Sequence, residues 1–267
     1  MELSHAVILA LVQGLTEFLP ISSTAHLILV PYITNWPDQG LAYDVALNTA
    51  TWLAVVIYFR RDIASLAKGF FKSISERTLQ GNHDGSLAWM ILVATIPVGL
   101  AGLLAHNYVE HELRTIWVIG ASSIVWGAVL FIADRRQGQT ETGEIKWGAA
   151  LLVGLMQAVA LIPGTSRSGI TMTFGLFAGL SRTAAARFSY LLAVVVGGLA
   201  GSLEALKLFK SGVDVQTLPL AVGFIVAFVS AYLVIHYFLK LISRLSMTPF
   251  VVYRVVLGVV LLAYAWG

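Results

Sequence analysis

The sequence predicts an all-α integral membrane protein, a polytopic helical bundle with an inverted repeat, about six spanning helices and two re-entrant helical hairpins. Of its 267 residues, 58% are hydrophobic and only 12% are charged, whereas soluble domains carry about 25% charged residues. Several apolar runs approach the length of about 20 residues that a helix needs to cross a bilayer. The alternating segments of about ten residues that are typical of membrane β-barrels do not occur.

The charge balance and the lack of cysteine exclude several classes of function. The net charge is only +3, and the basic residues fall in short loops, a pattern that reports topology and anionic lipids rather than nucleic acid. The chain has no cysteine, so disulfides, thiolate metal sites and thiol nucleophiles are excluded. We therefore expect membrane lipids as partners and no nucleic acid.

Each half of the chain begins with two apolar arms that are too short to span a bilayer comfortably, at about 1.5 Å per residue. The arms are Leu3–Leu19 and Leu27–Tyr32 in the first half, and Trp147–Ile162 and Met172–Leu180 in the second. A polar break that contains a proline, Pro20 or Pro163, separates the two arms. Irregular backbone is tolerated at membrane depth only where protein buries it or where it lines a wet cavity. Each pair of arms therefore predicts a re-entrant hairpin.

Three longer apolar runs after each hairpin predict spanning helices. They are Tyr43–Phe59, Leu87–Leu104, Ile116–Ala133, Ala184–Leu206, Leu218–Leu239 and Phe250–Trp266. The positive-inside rule predicts a cytoplasmic loop after the first span, because that segment carries Arg60, Arg61, Lys68, Lys72 and Arg77. Two further connections are predicted, a short polar loop at His106–Arg114 and a polar linker at Asp134–Lys146.

The number of spans predicts how the two halves are related. A hairpin returns to its own side and three spans end on the other, so the first hairpin enters from outside and the second from the cytoplasm. We expect one transmembrane domain, residues 1–267, with repeat one at about 1–133 and repeat two at about 147–267. In such inverted repeats both breaks should meet near the midplane. Superposing Pro20 on Pro163 aligns the two breaks.

The second break carries the groups that best suit an oxyanion. Arg167 lies between Ser166 and Ser168, and a charge at the bilayer centre costs about 2.5–3.5 kcal/mol on insertion scales. With Gly164 and Thr171, these residues offer a guanidinium, hydroxyls and free backbone N–H groups, which together suit a phosphate. The alternative is a structural ion pair between Arg167 and Glu17. The two interpretations are compatible, because an arginine paired in an empty site can turn to a phosphate.

The first break carries candidates for proton transfer and nucleophilic attack. Glu17 is an intramembrane carboxylate, which is a functional candidate by default. Glu17, Ser23 and His26 lie within ten residues around one break. Together these three residue types are candidates for proton transfer or nucleophilic attack. The alternatives are that Ser23 only caps the second arm and that Gln13, on the same helix face as Glu17, is hydrogen-bonded across the bundle. Asn48, with Asp44, is a candidate for orienting these groups.

Two motifs identify a family resemblance. Residues Gln13–His26 resemble the first signature of the bacitracin-resistance family, the undecaprenyl-diphosphate phosphatases, whose (E/Q)xxxE pattern falls on Gln13 and Glu17. Residues Pro163–Thr171 match the family's PGxSRSxxT signature. The similarity covers nearly the whole chain. Departures from the family pattern are Gln13, where many members carry Glu, Ala25, where Gly is common, and Arg187, where some members carry Glu.

The resemblance implies an activity and a location. Members remove the terminal phosphate of undecaprenyl diphosphate, a polyprenyl diphosphate lipid, at the outer, periplasmic side of the bacterial plasma (inner) membrane. The product is the lipid carrier of cell-wall (peptidoglycan) synthesis, and the activity confers bacitracin resistance. The resemblance also implies a divalent cation, Mg²⁺ or Ca²⁺, for which Glu17 and Gln13 are the candidate ligands. It assigns functional roles to Glu17, Ser23, His26, Ser166, Arg167 and Thr171.

These observations lead to one expected mechanism and one rival function. Arg167 is expected to clamp phosphate oxygens, helped by Ser166, Ser168, Thr171 and the loop N–H groups around Gly164. Either Ser23 or water is the nucleophile; Glu17 is a general base or a cation ligand, and His26 protonates the leaving phosphate or activates Ser23. The rival is a transporter or flippase of a polyprenyl phosphate that uses the same anion site. A homodimer is compatible with the sequence.

Overall fold

The computed structural model describes residues 2–37, 39–136, 138–211 and 217–266. Within these ranges the chain forms eleven α-helices and two short 3₁₀ helices, with no β-strand. The α-helices are α1 (Leu3–Thr16), α2 (Ser23–Thr34), α3 (Leu41–Tyr58), α4 (Arg60–Glu76), α5 (His83–Glu112), α6 (Ile116–Arg135), α7 (Trp147–Gln157), α8 (Arg167–Phe177), α9 (Arg182–Ser211), α10 (Thr217–Ile242) and α11 (Thr248–Trp266).

Six of these helices, α3, α5, α6, α9, α10 and α11, are long and apolar enough to cross a membrane. Two of the shorter helices, α1 and α7, are also apolar. Helix α1 is followed by α2 and helix α7 by α8, and each of these pairs precedes three of the long helices. Large apolar side chains such as Leu104, Ile225 and Val256 are exposed on the long helices, as expected where a bilayer replaces water as the solvent. The prediction of an all-α polytopic membrane protein is confirmed.

Both hairpins turn through a serine with positive φ. Ser22 has φ 72° and ψ 93°, and its side chain accepts a hydrogen bond from the N–H of Ala25 at the start of α2. Ser166 has φ 71° and ψ 114°, and it caps α8 in the same way through the N–H of Gly169. This backbone region costs non-glycine residues about 1–3 kcal/mol and is concentrated at functional sites. Each serine therefore starts a helix and holds the strained turn before it.

These caps correct the predicted alignment of the two breaks by one residue. Ser22 and Ser166 have the same conformation and the same role, and the same offset along the chain pairs Gln13 with Gln157, near the end of α1 and at the end of α7. Superposed prolines would pair Ser22 with Thr165 instead. The prolines misalign because a helix start is set by its capping residue, and one more residue separates proline from cap in the second hairpin.

The hairpins pack against the opposite half of the chain. Helix α1 packs on α10 and α7 packs on α5, while α3 packs on α9 and α6 on α11. The close approach needs glycine: a Cβ on Gly14 would lie 1.9 Å from Oγ of Ser230, and one on Gly154 would lie 2.5 Å from the carbonyl oxygen of Ala94. This reciprocal packing supports the proposal that residues 1–133 and 147–267 are inverted repeats.

Two predicted loops are helical, and both corrections have a physical reason. The basic segment after the first span forms α4, which packs on α5; its Ser73 accepts a hydrogen bond from Nε1 of Trp89 at 3.0 Å. An amphipathic helix of this kind is too polar to register as a span, although its apolar positions recur with helical period. Helix α5 continues to Glu112, through most of the loop predicted at His106–Arg114, because no glycine or proline interrupts it there.

The linker predicted at Asp134–Lys146 is anchored by a buried carboxylate. Asp134 is only 2% exposed; it accepts hydrogen bonds from Nε of Arg182 at 2.5 Å and from the N–H of Met247 at 3.1 Å. These contacts join the end of α6 to the start of α9 and to the connection between α10 and α11. The predicted linker therefore begins inside the bundle, at a point that ties three helix ends together.

Candidate active site

Both hairpin breaks line one cavity of about 750 Å³. The first hairpin contributes Gln13, Glu17, Ser22, Ser23 and Thr24, and the second contributes residues 160–164 with Ser166 and Arg167. Helices α3 and α9 complete the wall with Asp44, Asn48, Glu204 and Lys207, among others. The predicted meeting of the two breaks is therefore present in the structure.

Glu17 is the centre of the polar contacts in this cavity. Its Oε1 accepts a hydrogen bond from Nη2 of Arg167 at 2.9 Å. Its Oε2 accepts one from the Ser23 hydroxyl at 2.5 Å and one from Nε2 of Gln13 at 3.1 Å. One carboxylate thus joins a cation from the second hairpin to a hydroxyl from the first, and it lies where it can take the Ser23 proton.

Arg167 has capacity for a further ligand. Its Nη2 is used by Glu17, but its Nη1 is buried and has no hydrogen-bond partner among the described residues. Unpaired buried donors are rare in folded proteins because leaving one without a partner costs about 1–3 kcal/mol. Arg167 is also the first residue of α8, after the cap Ser166, so it lies at the positive end of that helix dipole. The free nitrogen and the helix end both favour a bound anion.

Ser168 and Thr171 do not line the cavity. Both are 1% exposed, and their hydroxyls are hydrogen-bonded within the protein. Ser168 donates to the carbonyl oxygen of Leu19 at 2.8 Å, and Thr171 contacts Oγ of Ser189 at 2.7 Å. These bonds tie α8 to the first hairpin and to α9. Gly164 lines the cavity with φ +88°, a conformation that glycine adopts without penalty.

His26 points away from the cavity towards α11. Its Nδ1 lies 2.7 Å from the carbonyl oxygen of Ser22, and a carbonyl can only accept, so Nδ1 carries the proton. In the neutral ring, Nε2 then accepts from the Tyr253 hydroxyl at 2.5 Å. The two rings also stack, with centroids 5.6 Å apart. The structure therefore does not bring His26 to the Ser23 hydroxyl, which donates to Glu17 instead.

The candidate cation ligands lie beside each other but are few. Nε2 of Gln13 donates to Glu17 and, at 2.9 Å, to Oδ1 of Asn48, which orients its Oε1; that oxygen is buried and has no partner among the described residues. In the described part of the chain, no group of three or more His, Cys, Asp or Glu side chains is placed to hold a metal ion. An unpaired amide oxygen beside one carboxylate fits a hard cation that also binds substrate phosphates.

Arg254 lies outside both sequence motifs. It is 1% exposed, and its guanidinium donates to carbonyl oxygens of both breaks: Pro20 at 3.0 Å, and Gly164 and Thr165 at 2.9 Å each. A fourth bond reaches Ser123 of α6 at 3.2 Å. Arg254 therefore fixes one break against the other. The sequence did indicate this residue, because Arg254 is a lone charge inside the predicted apolar span Phe250–Trp266. A charged side chain inside a membrane costs free energy and commonly has a function.

Two helix breaks that meet in a polar cavity inside a bundle of spanning helices define an integral membrane protein with a candidate anion site. Comparison with known proteins identifies its family. Residues 6–260 match the family described as "Bacitracin resistance protein BacA", and the chain belongs to that family.

Several curated relatives match the chain over nearly its whole length. One from Saccharophagus degradans is 48% identical over 267 residues, which cover 100% of this chain and 99% of the relative. One from Teredinibacter turnerae is 49% identical and one from Campylobacter concisus 50% identical, each with 98% of both chains covered. All three are named undecaprenyl-diphosphatase.

Proposed function

We propose that this protein hydrolyses undecaprenyl diphosphate to undecaprenyl phosphate and inorganic phosphate. The proposal rests on one observation: Glu17 contacts both the Arg167 guanidinium and the Ser23 hydroxyl in a cavity formed by both hairpins. Family membership and the names of the relatives support it. This reaction would recycle the lipid carrier of peptidoglycan synthesis and confer bacitracin resistance.

Arg167 is the proposed clamp for the diphosphate. Its unpaired Nη1 can take a phosphate oxygen while Nη2 stays on Glu17, and the first turn of α8 supplies further positive potential. The hydroxyl of Ser166 contributes by capping that turn, since it accepts from the N–H of Gly169. Donors fixed where charge develops stabilise a phosphoryl-transfer transition state. Ser168 and Thr171, named as phosphate-binding residues, act in this proposal by holding α8 in place.

Ser23 is the proposed nucleophile, with Glu17 as its base. Oγ of Ser23 bonds to the terminal phosphorus as its proton passes to Glu17, and the bond from that phosphorus to the bridging oxygen breaks. Undecaprenyl phosphate leaves and Glu17 gives up its proton to solvent. Water then attacks the phosphoserine; its OH goes to phosphorus, its remaining proton returns to Oγ of Ser23, and inorganic phosphate is released. The observation behind this order is the 2.5 Å hydrogen bond from Ser23 to Glu17. Direct attack by water on the diphosphate is the alternative.

His26 is assigned a positioning role in this mechanism. Its Nδ1–H holds the carbonyl of Ser22, the residue with positive φ immediately before Ser23. The ring therefore acts on the turn that presents the nucleophile. Because the hydroxyl of Ser23 donates to Glu17 rather than to His26, proton transfer at Ser23 does not need the imidazole.

A divalent cation, Mg²⁺ or Ca²⁺, would be held by Glu17 and Oε1 of Gln13 together with substrate oxygens. The unpaired state of that amide oxygen is the observation that fits it. Such an ion would neutralise part of the diphosphate charge. Where a protein offers few carboxylates, Mg²⁺ usually takes its remaining ligands from water and from substrate phosphates.

The cavity is proposed to face the outer side of the bacterial plasma membrane. Helix α4 carries Arg60, Arg61, Lys68 and Lys72 and marks the cytoplasmic side. Two basic residues outside α4 line the cavity: Arg114, which follows α5, and Lys207, which lies late in α9. An opening away from the cytoplasm is supported if both helices begin on the side of α4.

The test is phosphate release from undecaprenyl or farnesyl diphosphate by the purified protein in detergent, with and without chelator. An enzyme releases phosphate although no bilayer is present. A transporter or flippase that used the same anion site would release none, and that result would contradict the proposal. Loss of release on chelation, restored by Mg²⁺ or Ca²⁺, would support the cation.

A further inference from the structure

A second cavity adjoins the active site between α3 and α9. Its volume is about 410 Å³, and Glu17, Asn48, Arg167 and Glu204 line both cavities. The rest of its wall is mostly small or apolar and includes Val55, Ala193, Val196, Gly197, Gly198 and Gly201. We propose that this cavity, the α3–α9 groove, binds the first isoprene units of the polyprenyl diphosphate. The inference rests on the proposed function, because the diphosphate in the active site places the chain.

One tryptophan and a run of small residues give the groove its shape. Nε1 of Trp52 donates to the carbonyl oxygen of Val194 at 2.8 Å, which fixes the indole against α9. A Cβ on Gly197 would lie 2.8 Å from Cδ1 of that ring, so the two helices touch here. One turn further along α9, a Cβ on Gly201 would meet no atom within 4 Å. The helices therefore contact at Trp52 and leave open space beside Gly201.

The position of the groove next to Arg167 favours a prenyl chain as its ligand. Arg167, the proposed phosphate clamp, lines the groove, so the prenyl carbon attached to a diphosphate bound there would emerge beside it. An apolar wall offers a prenyl chain burial from water. A bilayer acyl chain could fill the same walls, but in a phospholipid an ester and a glycerol unit separate the acyl carbons from the phosphate, whereas the first prenyl carbon is bonded directly to a diphosphate oxygen.

The size of the groove predicts a limited reach along the chain. Its volume is at the lower end of the range of about 300–1,000 Å³ that is usual for small-molecule sites, so it holds only the first part of an undecaprenyl chain. The remaining units would lie in the bilayer. Turnover should therefore rise with the first isoprene units and change little once they are present.

Gly201→Leu tests the groove because it fills the open space on a helix that tolerates leucine better than glycine. Gly99→Leu is the matched control: Gly99 is also helical, also has no atom within 4 Å of an added Cβ, and lines none of these cavities. The readout is kcat/KM for farnesyl diphosphate, with three isoprene units, and isopentenyl diphosphate, with one. We expect Gly201→Leu to lower the farnesyl-to-isopentenyl ratio about tenfold or more, and Gly99→Leu to leave it unchanged.

An unchanged ratio in Gly201→Leu would overturn the proposal, and so would an equal loss on both substrates. A second measurement does not need turnover. A farnesyl diphosphate with a diazirine on its chain should label residues of α3 and α9 in the wild-type protein and not in Gly201→Leu; labelling confined to other helices would overturn the assignment. If the wild-type protein released no phosphate from either substrate, the proposed function would fail, and the labelling pattern would still decide the groove.

Discussion

The hydroxyl of Ser23 donates a hydrogen bond to Oε2 of Glu17 at 2.5 Å. The other oxygen of the same carboxylate is held by Arg167 from the opposite hairpin. Glu17 is therefore oriented by the cation that would bind the substrate. A diphosphate bound through Nη1 of Arg167 would lie next to the carboxylate that holds the Ser23 hydroxyl. The Glu17 carboxylate therefore links the proposed phosphate clamp, Arg167, to the proposed nucleophile, Ser23.

Arg167→Ala should lower phosphate release about 10²–10³-fold or more, because it removes a donor aimed at the developing charge. The protein should still insert and fold. Lys72→Ala is a suitable control, since its ion pair with Glu76 lies exposed on α4 and such pairs contribute little. Near-normal release by purified Arg167→Ala would refute the clamp.

Ser23→Ala should abolish formation of a phosphoenzyme and most of the turnover, because no hydroxyl remains to attack phosphorus. The decisive measurement is acid trapping of the wild-type enzyme during turnover, with mass spectrometry of the peptide that contains position 23. Thr24→Ala removes a neighbouring hydroxyl that also lines the cavity and should retain activity. Ser23→Ala with substantial turnover and no trapped phosphoserine would favour direct attack by water.

His26→Asn should retain much more activity than His26→Ala. The asparagine amide can replace Nδ1–H as the donor to the Ser22 carbonyl, whereas alanine cannot, and neither residue can act as an acid or base. The comparison of kcat for the two variants therefore separates positioning from proton transfer. Equal and severe losses in both would point to a direct role of the imidazole in catalysis.

Gln13→Glu should lower the cation concentration needed for half-maximal activity. The change places a second carboxylate beside Glu17, where the amide now donates a hydrogen bond, and hard cations bind more tightly as ligand charge increases. The measurement is a Mg²⁺ and Ca²⁺ titration of chelator-treated protein. A half-maximal concentration equal to that of the wild type would argue against a cation at this position.

Arg254→Met should destabilise the protein by about 3 kcal/mol or more, because buried carbonyls of both breaks lose their donor at about 1–3 kcal/mol each. Thermal unfolding in detergent, together with phosphate release, measures the effect. Val252→Ala is the control on the same helix, since Val252 is 55% exposed. An unchanged melting temperature in Arg254→Met would contradict the cross-linking role of this arginine.

Hydropathy alone predicted the six spans, because mean apolarity over about 20 residues is what a bilayer demands. It missed α4, whose lysines and arginines lower the mean hydropathy of the segment, although the helix packs on α5. The motifs identified Glu17, Ser23 and Arg167, which line one cavity. The two break regions were therefore readable from local residue chemistry.

The direction in which the side chains of His26 and Thr171 point could not be predicted from the sequence. His26 is turned by Tyr253, a partner on the last helix, and Thr171 by Ser189 on α9. Both partners are distant in sequence, and neither contact leaves a local pattern. The carbonyls held by Arg254 are equally invisible in a sequence, since every residue has one.

The packing of α1 on α10 has a consequence for biogenesis. Gly14 must lie against Ser230, yet almost the whole chain is synthesised between them. Until α10 arrives, the first hairpin has no permanent neighbour on that face, and Glu17 has no Arg167 until α8 is made. The nascent hairpin would therefore hold a carboxylate without its cation next to lipid or the insertion machinery. Completion of the ion pair between the hairpins would mark a correctly assembled molecule.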